Sequence, residues 1–396
     1  MSDHSEGEGR TGDSPGPLAR ARRRLAELVS DLRHFSTRGR SHFRRVESVP
    51  HRVTVSGVRG KSTVVKWLNE ALVERGQETY AKVTGDHPVS YRNLDPTPIE
   101  RDGVTRLYEN ERELREHWPV DAVVAENQGI REYTTRLGNE LFDPHVVVLL
   151  NVRRDHQSTL GETLPDIARA FARTVPEHTH VVSGERNDAI NEYLRGEFER
   201  QGLGFSVAAP DPHGPFEDVL GSRSAFVVSE TLRALGFDPL SPGTVQSHVE
   251  GLRNEWSWTR LSGGGLVTNA ASMNDIESTE LLRRDLTDRL SEPTVTPFAY
   301  LRRDRAGRTA AFVHYTNWLA ANDLIERAHA AGPHATLFER RVDVPVTRWD
   351  HERADAGRAL DAALSHGDPV YVVGNTVAPF MRDLEDAIEE RRRRDD

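Results

Sequence analysis

From residue 50 onward, short apolar runs alternate with longer stretches in which apolar residues recur every three or four positions. The first pattern reads as strands and the second as amphipathic helices. "RVTVSG" (52–57) predicts a strand running into a glycine loop. "STVVKWLNEALVERG" (62–76) predicts a helix that stops at glycine. Further strands are predicted at 78–85, 121–126, 145–151 and 179–184, with a helix over 106–118. The run "HVVVLLN" (145–151) is apolar on both faces, as a strand inside a parallel sheet is. Strand–helix repetition predicts an α/β fold, a parallel sheet with helices on both sides. The rhythm breaks near "NEWSWTRLSG" (254–263). It restarts with predicted strands at 265–270, 294–301, 335–341 and 369–375 and a helix after Pro379. The expected organisation is one α/β domain over 46–256 and a smaller one over 257–396, with no internal repeat.

The N-terminal region is different. Residues 1–17 are polar and read as a disordered tail. Residues 18–45 carry nine arginines, and Leu25, Leu28, Val29 and Leu32 fall at helical spacing. This predicts a basic amphipathic arm that docks on a membrane surface or partner, or packs on its own domain. The second reading is favoured, because solvated basic helices are common.

Composition narrows the picture. The chain has 396 residues and no cysteine, which excludes disulfides and thiolate metal sites. No apolar run approaches the roughly 18 residues a membrane helix needs, and no signal peptide is visible, so a cytoplasmic protein is expected. A net charge of −10 argues against general nucleic-acid binding. Of 52 Lys plus Arg, only Lys61, Lys66 and Lys82 are lysine. Lysine is a compact point charge that arginine's planar fork does not replace everywhere, and one of the three sits in the glycine loop.

Ligands of open parallel sheets bind beyond the carboxyl ends of the strands. After the first strand come Gly57-Val58-Arg59-Gly60-Lys61-Ser62-Thr63, a form shorter than the common G-x-x-x-x-G-K-[ST] loop. After the second come Lys82, Thr84 and Gly85; the third ends in Glu126-Asn127; the next ends in Asn151, followed by Asp155-His156. An ATP–Mg²⁺ site requires such groups. Glycines let backbone N–H groups approach phosphate at a helix N-terminus. Lysine neutralises phosphate oxygens and the Ser62 hydroxyl binds the metal. Glu126 offers a hard oxygen ligand, and His156 a second ligand or a partner for metal-bound water. A lone G-K-S or Asp-His pair is weak; four matching strand ends together point to phosphate chemistry.

These stretches resemble the Mur-ligase superfamily and, within it, the ligase subunit of poly-γ-glutamate synthases. The likeness runs over about residues 46–390. It includes Ser56–Thr63, Lys82-Val83-Thr84-Gly85, Glu126, Asn151…Asp155-His156, Asn274-Asp275…Ser278-Thr279, "LRRDRAGRTAAF" (301–312) with Arg303, Asp304, Arg305 and Arg308 in register, and "VVGN" (372–375). The resemblance implies a P-loop central domain followed by a Rossmann-like C-terminal domain. It implies an ADP-forming, ATP- and Mg²⁺-dependent acid–amino-acid ligase, with glutamate as the acid and a small integral membrane subunit as partner. The chain would then work at the inner face of the membrane. It implies catalytic roles for Lys61, Lys82, His156 and Arg305, and metal ligation by Ser62, Glu126 and His156. Nucleotide contacts are implied for Gly57, Arg59, Gly60, Lys61, Ser62, Thr63, Asn151, Asn274 and Asp275. Departures fall on the acceptor and adenine sides: Ser224 stands near the family's adenine-side asparagine, and Gln157-Ser158 follows Asp155-His156. No lysine follows Lys82, so the carbamylated lysine of some superfamily members has no counterpart in the later chain. A folyl- or peptide-type ligase and a P-loop ATPase or regulatory protein without ligation remain the alternatives.

Overall fold

The structure, a computed structural model, describes residues 39–84, 88–101, 107–129, 131–153, 157–209, 219–273, 275–290, 293–303, 306–374 and 378–392. The expected tail and the apolar stripe of the arm lie outside the described residues. The end of the arm forms a helix, Arg40–Glu47.

Two sheets organise the chain. The first comprises β1 (His51–Ser56), β2 (Thr79–Val83), β3 (Val89–Arg92), β4 (Asp95–Pro98), β5 (Ala122–Glu126), β6 (Val146–Leu149), β7 (His180–Ser183) and β8 (Gly204–Val207). Their spatial order is β4-β3-β2-β5-β1-β6-β7-β8. β2, β5, β1, β6, β7 and β8 run parallel, and β3 and β4 form an antiparallel edge. The exposed outer strand carries Pro96 and Pro98, which blunt an edge that would otherwise pair with another chain. The second sheet holds β9 (Thr259–Arg260), β10 (Leu266–Asn269), β11 (Thr296–Tyr300), β12 (Ala328–Ala331), β13 (Val346–Trp349) and β14 (Val370–Val373). Its order is β13-β12-β11-β14-β10-β9, parallel except for β9.

Helices cover the sheets because the parallel strands are apolar on both faces. The helix Lys61–Glu74 turns Val64, Val65, Leu68 and Leu72 onto Val53, Val55 and Val124 of the first sheet. Each fully buried Leu or Val of this kind contributes about 1.5–3 kcal/mol relative to exposure. This packing fixes the helix N-terminus, and the loop before it, at the carboxyl end of β1.

The predicted strands 52–57, 78–85, 121–126, 145–151, 179–184, 265–270, 294–301 and 369–375 all appear, with ends moved by one or two residues. The predicted strand 335–341 is instead a short helix, Ala335–Glu339. The nearby strand is β12, "AHAA", whose small residues carry none of the β-branched signal that marks a strand.

β12 holds a buried titratable group. His329 is buried, and its Nδ1 accepts a 3.1 Å hydrogen bond from Trp349 Nε1. Burial first, then the charges of His366 and Arg327, push its pKa down to about 4. The unfolded imidazole, with its ordinary value near 6.5, binds a proton that the folded one refuses. Stability therefore falls as the pH drops from about 6.5 towards about 4. Urea unfolding between pH 7 and pH 5 is expected to show this slope, and His329→Gln to flatten it. An unchanged slope in the variant would assign the effect elsewhere.

Candidate active site

The site is built at the carboxyl ends of β1, β2, β5 and β6. β1 ends at Ser56, and the helix begins at Lys61. The intervening turn needs glycine at both ends. Gly57 has φ 123°, and a Cβ there would lie 3.1 Å from the Leu150 backbone nitrogen. Gly60 is left-handed, with φ 81°, and provides no side-chain cap for the helix that follows. The first N–H groups of that helix are thus left for an outside acceptor, the arrangement that favours phosphate.

Asn151 braces the loop. The pairing of Ser56 with Leu149 brings it alongside. Its Oδ1 accepts from the N–H groups of Val58 (3.0 Å) and Arg59 (3.1 Å), and its Nδ2 donates to Arg59 O at 2.9 Å. The side chain expected to contact nucleotide thus holds the backbone of the glycine turn.

Lys61 Nζ donates to Gly57 O at 3.0 Å and lies 3.7 Å from Glu126 Oε1. Val55 pairs with Glu126 across the sheet, which places this carboxylate beside the loop. Glu126 Oε2 accepts from Ser62 Oγ at 2.9 Å and from Thr84 N at 3.0 Å. Two hard oxygens, Ser62 Oγ and Glu126, thus meet at a helix N-terminus beside a cation. Among the described residues there is no group of three or more His, Asp or Glu able to hold a metal unaided.

A cleft of about 1100 Å³ opens over this cluster. Arg59, Lys61, Ser62, Thr63, Thr84, Glu126 and Asn151 line one side, and Ser272, Met273, Glu277, Ser278 and Leu281 the other. Seven cationic side chains line it against four acidic ones, although the whole chain carries −10. Such local excess draws anionic substrates. Two arginines reach across: Arg59 Nε lies 3.8 Å from Asp275 Oδ2, and Arg153 pairs with Glu185 at 3.2 Å and Glu277 at 2.8 Å. Asp275 also accepts from Ser278 N at 2.9 Å, capping the helix Ile276–Leu290.

Lys82 is not among the cleft-lining residues. It is fully buried, 2.7 Å from Glu109 Oε1, and donates to Asn110 Oδ1. The direct substrate contact expected of it is therefore absent from this geometry. His156, Asn274 and Arg305 lie outside the described residues, and Arg303 is exposed.

Several cleft residues carry no sequence signal. Trp67 and His248 stack with ring centroids 4.5 Å apart and planes within 14°. They come from helices far apart in the chain, Lys61–Glu74 and Pro242–Glu255. Leu252 and Trp256 continue this wall. Of the two tryptophans in the break at 254–263, Trp258 packs inward and donates to Leu286 O, whereas Trp256 lines the cleft. Glu185 is buried and accepts from the N–H groups of Val152, Arg186 and Asn187, tying the β6 and β7 ends together.

The family model for the poly-gamma-glutamate synthase CapB C-terminal domain matches residues 260–391. The "PGA synthase CapB" of Bacillus subtilis (strain 168) is 24% identical over 356 residues, covering 85% of this chain and 90% of that protein. The "Capsule biosynthesis protein CapB" of Bacillus anthracis is 26% identical over 361 residues, covering 85% and 76%. Escherichia coli FolC in complex with ADP shares the fold at TM-score 0.61 and 16% identity, covering 89% of this chain and 92% of that one. The bifunctional folylpolyglutamate synthase/dihydrofolate synthase of Yersinia pestis, complexed with AMPPNP and Mn ion, does so at TM-score 0.60 and 14% identity, covering 88% and 91%. The chain thus shares the two-unit α/β fold of these folylpolyglutamate synthases, and it is similar over most of its length to two proteins named CapB.

Proposed function

We propose that the chain is an ATP-dependent carboxylate–amine ligase that releases ADP and builds γ-linked glutamate polymer. The convergence of Lys61, Ser62 and Glu126 at an uncapped helix N-terminus inside a two-walled cationic cleft carries this reading. The relatives named for PGA synthesis supply the product.

A carboxylate oxygen of the acid attacks the γ-phosphorus of ATP, the bond to ADP breaks, and an acyl phosphate forms. The amine nitrogen of the next glutamate then attacks the acyl carbon. The C–N bond forms, the C–O bond to phosphate breaks, and the amine gives up a proton. Phosphoryl transfer needs mainly positioning and charge neutralisation. Lys61 and the N–H groups after Gly60 place positive charge at the phosphates. Asn151 holds the loop in the shape that aims those groups. Ser62 Oγ and Glu126 have the hard-oxygen chemistry Mg²⁺ takes, with phosphate and water completing its shell. Bound there, the ion would neutralise phosphate oxygens. Asp275 and Glu277 draw the second wall over the first, limiting the water that would hydrolyse an acyl phosphate.

The expected partner is a small integral membrane subunit, with the chain at the inner face of the membrane. Among the described residues no helix is long and apolar enough to cross a membrane. Incubation with ATP, Mg²⁺, a short γ-linked glutamate oligomer and hydroxylamine tests the chemistry. ADP and acyl hydroxamate are expected in equal amounts. ADP release that ignores every carboxylate offered, or AMP in place of ADP, would overturn the reading.

A further inference from the structure

Four of the cationic side chains that line the cleft face a carboxylate of this chain: Arg59 faces Asp275, Lys61 faces Glu126, Arg101 faces Glu109, and Arg153 faces Glu185 and Glu277. Arg223, which also lines the cleft, is held differently. Its Nε donates to Gly184 O at 2.8 Å and its Nη2 donates to Glu185 O. Both acceptors are neutral main-chain carbonyls. The Glu185 carboxylate is engaged elsewhere, with Arg153 and with the N–H groups of Val152, Arg186 and Asn187. Among the described residues, Arg223 makes no ion pair and no hydrogen bond through Nη1. That nitrogen carries two of the five guanidinium N–H groups.

Glycine packing makes this seat. A Cβ at Gly184 would lie 2.7 Å from Leu150 O and 2.9 Å from Val227 Cγ2. The helix Ser222–Ala234 therefore approaches the ends of β6 and β7 only over glycine. Arg223 stands one turn before Val227 on the same face of that helix, and so meets the Gly184 carbonyl. The guanidinium is half-buried. Burial first, then the charges of Arg186 and Arg153, push its pKa down, and Glu185 and Asp188 offset part of this through space. Arginine stays protonated nonetheless. A half-buried cation on neutral acceptors, beside two like charges, is stabilised by an anion that brings the missing charge.

Position selects the anion. Glu126 ends β5, on one flank of β1, whereas Gly184 follows β7, two strands away on the other flank. At about 4.8 Å per strand the two lie on the order of 14 Å apart across the cleft floor. Glu126 and Ser62 mark the flank that suits the metal and the transferred phosphate. The first turn of the helix Ser222–Ala234 joins the glycine loop to the aromatic wall. A Cβ on Gly60 would lie 4.0 Å from Ser224 Oγ, and one on Gly221 would lie 3.4 Å from Trp67. Trp67, stacked on His248, belongs to a flat wall that suits a nucleobase. A nucleotide running from the loop to that wall crosses the turn that carries Arg223. We propose that Arg223 Nη1 donates to a phosphate that stays on the nucleotide. The assignment rests on the nucleotide half of the ligase reading and adds a cation on the flank opposite Glu126.

Calorimetric titration of the full chain with ADP and with adenosine tests this. Arg223→Met is expected to raise the Kd for ADP about tenfold or more, as loss of a charge-assisted hydrogen bond does. The Kd for adenosine is expected to stay within about twofold. Arg223→Lys keeps the charge but not the seat on two carbonyls, and is expected to fall between. Melting curves without nucleotide record any folding loss. The rise in melting temperature that ADP gives the wild type is expected to shrink in Arg223→Met. An unchanged ADP Kd would overturn the assignment, and a raised KM for the γ-linked glutamate oligomer beside it would move Arg223 to the acid. Equal losses for ADP and adenosine would overturn it as well. ADP binding by the wild type without hydroxamate from any acid would sink the ligase reading and leave the Arg223 assignment intact. No ADP binding by the wild type would end both.

Discussion

Replacing Lys61 by arginine is expected to reduce ATP-dependent hydroxamate formation by about a hundredfold or more, although the charge is conserved; removing a preorganised donor at a developing charge typically costs that much. The reason is geometric. Lys61 is the first residue of its helix and folds back so that Nζ reaches Gly57 O at 3.0 Å, with Glu126 3.7 Å away. That arc suits a point charge on a four-carbon stem. A guanidinium is planar and wider, and it would form a fork with Glu126 instead of curling over the loop. The fork would take the carboxylate from Ser62 and close the space a phosphate needs. Initial rates at saturating ATP, with nucleotide affinity measured separately, check this. A variant within about threefold of wild type would remove Lys61 from the reacting machinery.

The second large effect concerns Glu126. Glu126→Gln is expected to raise the Mg²⁺ concentration for half-maximal activity about tenfold or more, within the range seen when a carboxylate near a metal is altered. Glu126 Oε2 now accepts from both Ser62 Oγ and Thr84 N. An amide keeps one acceptor oxygen but loses the anion and turns an NH₂ group towards Lys61 or the metal position. The Thr84 contact can survive the change, so the fold around β5 is retained while the ionic function is lost. Activity titrated against Mg²⁺ and Mn²⁺, alongside melting curves, separates the two. Superimposable titrations of variant and wild type would exclude Glu126 from the metal's surroundings.

The parts of this site that were legible in the sequence are those dictated by backbone geometry. A strand, two glycines and a Lys-Ser pair at a helix start specify the loop, because only glycine tolerates φ 123° against Leu150. Glu126 was legible because it ends an apolar run that could only be a buried strand. What could not be read was direction. All five positions of β2 are buried, so the alternation that normally tells the two faces apart is missing, and Lys82 is buried against Glu109 instead of lining the cleft. Asn151 was located but its task was not: the two N–H groups it accepts from lie more than ninety residues away. The Trp67–His248 wall depends on two helices meeting in space, and nothing local to either residue marks it. β12 was hidden by its alanines, and the small helix after it took its place in the reading.

The scarcity of lysine, combined with the burial of Lys82, turns amine chemistry into a gauge of this molecule. An acylating reagent meets three lysine side chains on the unfolded chain. On the folded chain Lys66 is exposed and the Lys61 side chain is 19% exposed, whereas Lys82 is sealed. Mass spectrometry of briefly labelled protein therefore counts two modified lysines in the native state. If the proposed ligase reading holds, nucleotide on the loop is expected to shield Lys61 and lower the count to one, and opening of the β2 end to add Lys82 on its own timescale. Occupancy of the loop and integrity of the sheet behind it can be followed in one spectrum without introducing a probe.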